Sequence, residues 1–252
     1  MKKLVASLAA ALVLAGCSAP AGTSSPAVAS GKTVTVFAAA SLKGAFTKIG
    51  DAFGAETGAK VSYNFNGSSA LVDQLLGGAP ADVFASADES NMKKATDAAL
   101  TAGKPTLFAT NVLTLVVAPG NPAKITGLDA SLDGKKLVVC AVGVPCGNAL
   151  ATLEKNLGVS PKPVSQEQTV TDVLGKVTSG EADAGVVYAT DAKSAGAKVT
   201  AVAIPGSEKV VNNYPIAATA STKDAALARA YIDYVTGPKG QAILTEFGFG
   251  KP

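Results

Sequence analysis

From residue 33 onward the chain alternates short β-branched runs with segments whose apolar residues recur at helical spacing. Thr33-Val34-Thr35-Val36-Phe37 predicts a strand, and Leu42, Ala45, Phe46, Ile49 and Phe53 then mark one face of a helix, with Ser41 as a cap at the turn. Val61-Ser62-Tyr63-Asn64-Phe65 alternates as a second strand. Gly67-Ser68-Ser69 leads from it into a helix carrying Leu71, Val72, Leu75 and Leu76, which Gly77-Gly78 ends. Asp82-Val83-Phe84-Ala85 predicts a third strand and residues 92–100 a polar helix capped by Ser90. Strands that alternate with helices in this way predict a parallel α/β sheet.

The second half repeats the pattern. Residues 112–117 are too uniformly apolar for a half-exposed strand and predict a buried parallel one, as do 137–142, 184–188 and 199–204. Helices are expected at 148–156 and 170–177, and a terminal helical pair at 225–235 and 242–247 that packs back on the first lobe. The expected organisation is residues 32–110 as the first part of lobe 1, 111–214 as lobe 2, and 215–252 as the return to lobe 1. No Ser, Gly and Pro-rich linker follows residue 31, so the crossings are expected to be short strand-like hinges near 110–112 and 213–216.

The first residues read as an address rather than as part of the fold. Lys2-Lys3 precedes an apolar stretch over residues 4–15, too short to span a bilayer and shaped like the core of a secretory signal. It ends in Leu14-Ala15-Gly16-Cys17, which resembles a bacterial lipoprotein box; the alternative is an ordinary cleavage site beside an incidental cysteine. Residues 1–16 are therefore expected to be a removed lipoprotein signal peptide, Cys17 the lipidated residue, and residues 17–31, rich in Ser, Ala, Pro and Gly, a flexible tether. The expected location is outside the cell, lipid-anchored to the outer face of the bacterial cytoplasmic membrane. In that compartment Cys140 and Cys146 favour a disulfide pinning a loop, with two buried free thiols as the alternative.

Composition narrows the chemistry further. The 252 residues contain 48% hydrophobic side chains, enough for a full core, but no His and no Trp. Without His, Ser-His-Asp and Cys-His catalysis are excluded, and zinc and copper sites lose their commonest ligand. The formal charge of +3 is spread over both signs without a basic block, which speaks against nucleic acid as a partner. What remains are small polar turns where strands run into helices: Ala38-Ala39-Ala40-Ser41-Leu42, Asn66-Gly67-Ser68-Ser69 and Val144-Pro145-Cys146-Gly147. There the first N–H groups of a helix are unpaired, a hydroxyl adds a donor, and small neighbours let an anion approach. Each turn alone reads first as ordinary helix capping.

In their order and spacing these segments resemble a known family, the periplasmic molybdate-binding proteins that serve molybdate ABC importers. The resemblance covers nearly all of residues 32–250. It rests on Val36-Phe37-Ala38-Ala39-Ala40-Ser41-Leu42, the run from Gly78 to Asp88, Val144-Pro145-Cys146-Gly147, and Gly185-Val186-Val187-Tyr188 with Tyr214-Pro215-Ile216. It implies a two-lobed α/β periplasmic binding protein fold of type II, with parallel-type sheets, flanking helices and a hinge between lobes. It further implies a monomer that is not an enzyme, needs no cofactor and no free metal cation, and delivers molybdate or tungstate to an ABC permease with its ATPase. Carried over by position, Ser41 and Ser68 would bind the oxyanion through hydroxyl and main-chain N–H groups, Cys146 and Val170 through main-chain N–H groups, and Tyr188 through its hydroxyl. The family often has Ala where this chain has Cys146.

A site built only of neutral donors suits an anion that carries no proton, whereas monohydrogen phosphate needs an acceptor. Asp82 and Asp88 are expected to be structural; if either faced the ligand, phosphate would return as a candidate. Sulfate or another tetrahedral oxyanion is the alternative ligand, since it differs from molybdate mainly in size. An exported serine hydrolase is a remote alternative, prompted by Ser90-Asn91-Met92-Lys93, and a surface scaffold is another.

Overall fold

The computed structural model describes residues 29–252, so the expected signal peptide, Cys17 and most of the tether lie outside the described residues. Two five-stranded sheets, each flanked by helices, form two lobes. In lobe 1 the strands β1 (Thr33–Ala39), β2 (Lys60–Asn66), β3 (Val83–Ala85), β4 (Thr101–Asn111) and β10 (Asn212–Thr219) lie in the order β2-β1-β3-β10-β4. In lobe 2, β5 (Leu113–Val117), β6 (Leu137–Cys140), β7 (Ser165–Glu167), β8 (Ala184–Tyr188) and β9 (Thr200–Val202) lie in the order β7-β6-β8-β5-β9. The three strands β1, β2 and β3 run parallel, as do β6, β7 and β8.

Burial follows the alternation of the sequence. On β1, Val34, Val36 and Ala38 face one apolar layer and Phe37 the other. The first layer packs against α1 (Lys43–Thr57), α7 (Ala225–Thr236) and α8 (Pro238–Phe247) around Phe46, Phe53, Phe108 and Tyr231. The Tyr63 hydroxyl donates to the Phe46 carbonyl at 2.5 Å and lies 2.9 Å from that of Tyr231, so these rings hold the lobe together rather than reach a ligand. The opposite layer is covered by α2 (Ser68–Leu76) and α3 (Glu89–Asp97). In lobe 2 the helices α4 (Pro145–Leu157), α5 (Val170–Thr178) and α6 (Ala189–Ala195) enclose a core centred on β5, β6 and β8.

Four expectations are corrected. The run at 112–117 is fully buried as β5, but it pairs antiparallel with both β8 and β9. Its composition reports burial on both faces; its direction follows from the chain entering lobe 2 out of β4 with only Val112 between them. The run at 199–204 yields β9, a half-exposed edge strand paired antiparallel with β5, rather than a buried parallel one. The segment at 213–216 is not a hinge: it lies within β10, paired with β4 and β3, and the return crossing falls at residues 210–211, before the expected boundary. The long strand β4 was not legible because an edge strand tolerates Gly103, Lys104 and Pro105, which read as a loop. The equally peripheral β7 and the short α6 were not anticipated either.

Cys140 and Cys146 form a disulfide with their Cα atoms 5.7 Å apart. The bridge ties the end of β6 to the first turn of α4. Gly147 sits where a side chain would collide with the Ala141 carbonyl, so the loop backbone folds directly onto the helix start. Replacing both cysteines with serine is expected to lower the free energy of unfolding by about 2 kcal/mol, the loop-closure value for so short a ring. Urea denaturation under non-reducing conditions reads this directly, and an unchanged midpoint would mean that the loop is held by its packing alone.

Candidate functional site

All six parallel strands end at the seam between the lobes, and the residue or turn that follows each one lines a single small cavity. Ala39 ends β1 and Ala40 and Ser41 follow it, Gly67 and Ser68 follow β2, and Ala87 follows β3. From lobe 2 come Val144, Pro145 and Cys146 after β6, Val170 after β7 and Tyr188 at the end of β8. The structure thus brings together all five residues singled out in the sequence. The space between them is tight, because the lobes are closed on each other.

The donor geometry follows from helix starts. Ser68 is the first residue of α2, Val170 the first of α5 and Cys146 the second of α4, so their N–H groups have no acceptor within their own helices. Ser41 lies in the 3-10 turn Ala40–Leu42 that opens onto α1. The Ser68 hydroxyl oxygen accepts from the Ala87 N–H at 3.0 Å, which leaves its hydrogen to point elsewhere. The Ser41 hydroxyl lies 3.0 Å from that of Tyr214. Tyr188 is buried, and its hydroxyl has no hydrogen-bond partner among the described residues. A buried unpaired hydroxyl costs on the order of 1–3 kcal/mol, so its place at the cavity marks it as a group waiting for an acceptor. Burial, reinforced by Tyr214, Asp88 and Asp191, pushes its pKa well up, so it remains a neutral donor.

Among the described residues no carboxylate lines the cavity. Asp82 accepts from the Thr35 N–H at 2.8 Å and the Thr222 hydroxyl at 2.7 Å. Asp88 caps α3 by accepting from the Asn91 N–H at 2.9 Å, and it receives the Asn148 amide of lobe 2 at 3.3 Å. The Asn91 amide crosses the same seam to the Gly143 carbonyl at 3.2 Å. Both carboxylates are therefore structural, and the second belongs to a clasp between lobes that sequence reasoning did not find. The Ser-x-x-Lys tetrad is also accounted for: Lys93 pairs with Asp97 at 2.7 Å on the exposed face of α3. Among the described residues no group of three or more Cys, Asp or Glu is placed to hold a metal ion.

Asp191, buried in the first turn of α6, accepts from the Tyr188 N–H at 3.0 Å. Burial outweighs that hydrogen bond and pushes its pKa up to about 7. With Asn111 and Tyr214 it forms a polar layer directly behind the cavity. Tyr214 appeared in the sequence only as part of a motif, and no local pattern marked Asn111, since each acts through neighbours distant in the chain.

Comparison with known proteins places this site in context. The family described as "Bacterial extracellular solute-binding protein" matches residues 34–250. The chain is 47% identical over 249 residues to the molybdate-binding protein ModA of Mycobacterium tuberculosis, covering 98% of this chain and 95% of that protein. It is 36% identical over 230 residues to ModA of Escherichia coli, covering 86% and 88%. The solved periplasmic molybdate-binding protein of Azotobacter vinelandii superposes with a TM-score of 0.77 at 24% identity, over 87% of this chain and 99% of that one, which shows a shared fold.

The buried carboxyl gives a signed pH dependence. Asp191 keeps its proton in the folded chain up to about pH 7 but loses it near pH 4 when unfolded, so its contribution to stability falls between about pH 4 and about pH 7 and is flat above. Measured across that window, Asp191→Asn is expected to lose that fall relative to the parent chain; parallel stability curves for the two proteins would show that Asp191 ionises normally.

Proposed function

The chain belongs to the bacterial extracellular solute-binding proteins, among the molybdate-binding members of that family, and from this we propose that it captures molybdate or tungstate in the cavity between its lobes. The observation that carries the reading is the donor set: neutral hydroxyl and N–H groups from both lobes, a buried Tyr188 hydroxyl without a partner among the described residues, and no carboxylate. A tetrahedral dianion needs many donors and no acceptor once it leaves water. Helix first turns aim their N–H groups and the positive ends of their dipoles at the anion.

The magnitudes are sufficient. Hydrogen bonds to a charged group contribute about 1.5–3 kcal/mol each, so about five to seven can supply the ~8 kcal/mol of micromolar affinity after ordering costs. Ser41 and Ser68 belong to lobe 1, whereas Cys146, Val170 and Tyr188 belong to lobe 2, so only the closed form completes the shell. Ligand binding would therefore shift the lobes toward closure. Gly67 favours the same view: it faces the Gln168 carbonyl of lobe 2 so closely that no Cβ fits between them in the closed form.

The cargo would pass to an ABC permease and its ATPase, with the binding protein acting as a monomeric carrier and not as an enzyme. Residues 1–16 would direct export, and a lipid on Cys17 would hold the protein at the outer face of the membrane. Among the described residues no helix is long and apolar enough to cross a membrane, so membrane attachment would rest on that lipid.

Isothermal titration with molybdate, tungstate, sulfate and phosphate at matched ionic strength tests the reading. Saturable binding of the first two, with sulfate far weaker, is expected; dominant sulfate binding would replace the cargo, and no binding would remove the oxyanion function. Ser41→Ala and Ser68→Ala should each weaken molybdate binding by about 1.5–3 kcal/mol, or about 10- to 150-fold, with the fold intact. Gly67→Ala should reduce affinity while leaving the thermal stability of the ligand-free protein unchanged, and scattering of that variant should report a more open pair of lobes even with molybdate present. A compact ligand-bound form of Gly67→Ala would overturn the closure step.

A further inference from the structure

Behind the cavity runs a chain of hydrogen bonds whose direction is fixed from its far end. The Val112 N–H, which can only donate, gives its hydrogen to Asn111 Oδ1 at 3.0 Å. That sets the orientation of the Asn111 amide, so Nδ2 faces the Thr190 hydroxyl at 2.7 Å and the Tyr214 hydroxyl at 3.4 Å. Tyr214 is fully buried. With Asn111 donating to its oxygen, the Tyr214 hydrogen needs an acceptor, and among the described residues the one within hydrogen-bonding distance is Ser41 Oγ at 3.0 Å. Ser41 therefore receives a hydrogen from behind and turns its own into the cavity.

We propose that Tyr214, oriented by Asn111, is a specificity-determining positioning residue that favours the Ser41 hydroxyl as a donor and so disfavours, at that position, oxyanions that carry a proton. This rests on the oxyanion reading above and deepens it. Ser68 is held in the same sense by the Ala87 N–H, so each serine lining the cavity has one of its two acceptor positions occupied from within the protein. A hydrogen arsenate or hydrogen phosphate ion whose O–H faces the Ser41 hydrogen would be left with an unpaired donor there, which costs more than a missing contact. Asn111 ends β4 at the crossing into lobe 2, and Thr190 belongs to α6 of lobe 2. The chain of hydrogen bonds thus spans the junction of the lobes, and the ligand-facing serine is set by the same residue that joins them.

The test compares molybdate with arsenate, the probe that carries a proton at mildly alkaline pH, in the parent protein and in Tyr214→Phe. The variant keeps the ring that packs on Phe108, Tyr188 and Phe249. Freed from its donor, Ser41 is no longer oriented to donate and can turn a lone pair to the ligand, so molybdate affinity should fall about three- to tenfold while arsenate binding relative to molybdate improves by about tenfold or more. Asn111→Ala leaves every ring in place and should shift the same ratio in the same direction. In the Ser41→Ala background, Tyr214→Phe should have no further effect on the ratio. Equal losses for both anions, or an undiminished effect of Tyr214→Phe without the Ser41 hydroxyl, would overturn the proposal. Failure of the parent protein to bind molybdate at all would instead strike the oxyanion reading itself.

Discussion

Everything at the centre of this protein depends on one constraint: N–H groups at the start of a helix have no partner in that helix and must find one elsewhere. Here the starts of α2, α4 and α5, with the turn before α1, face one small space between two lobes. In most α/β folds such starts are satisfied one by one, by caps and water. In this chain they converge because both sheets turn the ends of their parallel strands toward the same seam, the crevice in which open α/β sheets bind ligands.

Convergence demands that nothing negative stand nearby and that the hydroxyls be disciplined. The acidic residues of the region are each engaged elsewhere, Asp82 across lobe 1, Asp88 in the clasp to Asn148, and Asp191 beneath Tyr188. Serine could accept as readily as donate, and the local sequence does not decide which. The bias comes from the second layer, where the Ala87 N–H and the Tyr214 hydroxyl each take one acceptor position of a serine oxygen. Specificity for charge state is thus built behind the cavity wall, while the wall supplies the contacts.

The two lobes share one design. Each has three parallel strands feeding helices toward the seam and one antiparallel strand that carries the chain across it: β10 in lobe 1 and β5 in lobe 2. The disulfide stiffens the Cys146 turn, and Gly67 lets the two backbones approach. A wall on each side with short crossings between them leaves the junction, where Asn111 sits, as the one covalent link from β4 into lobe 2.

Much was legible in the sequence because it depends on local chemistry. The alternation of Val34, Val36 and Ala38 against Phe37, the helical spacing of Phe46, Ile49 and Phe53, and the Ser and Gly punctuation of the turns located most elements and the turns at Ser41, Ser68 and Cys146, whereas Val170 and Tyr188 were marked only by the family resemblance. Burial of β5 could be read from its apolar run; its antiparallel direction could not, since direction depends on where the chain comes from and leaves no mark on side-chain character. Edge strand β4 hid its identity because half of its backbone needs no partner and admits Gly and Pro. The roles of Asn111, Tyr214 and Asn148 were decided by tertiary structure alone. A hydrogen bond between residues far apart in the chain, 103 positions in the case of Asn111 and Tyr214, has no periodicity to announce it. It exists only once two lobes have folded and met.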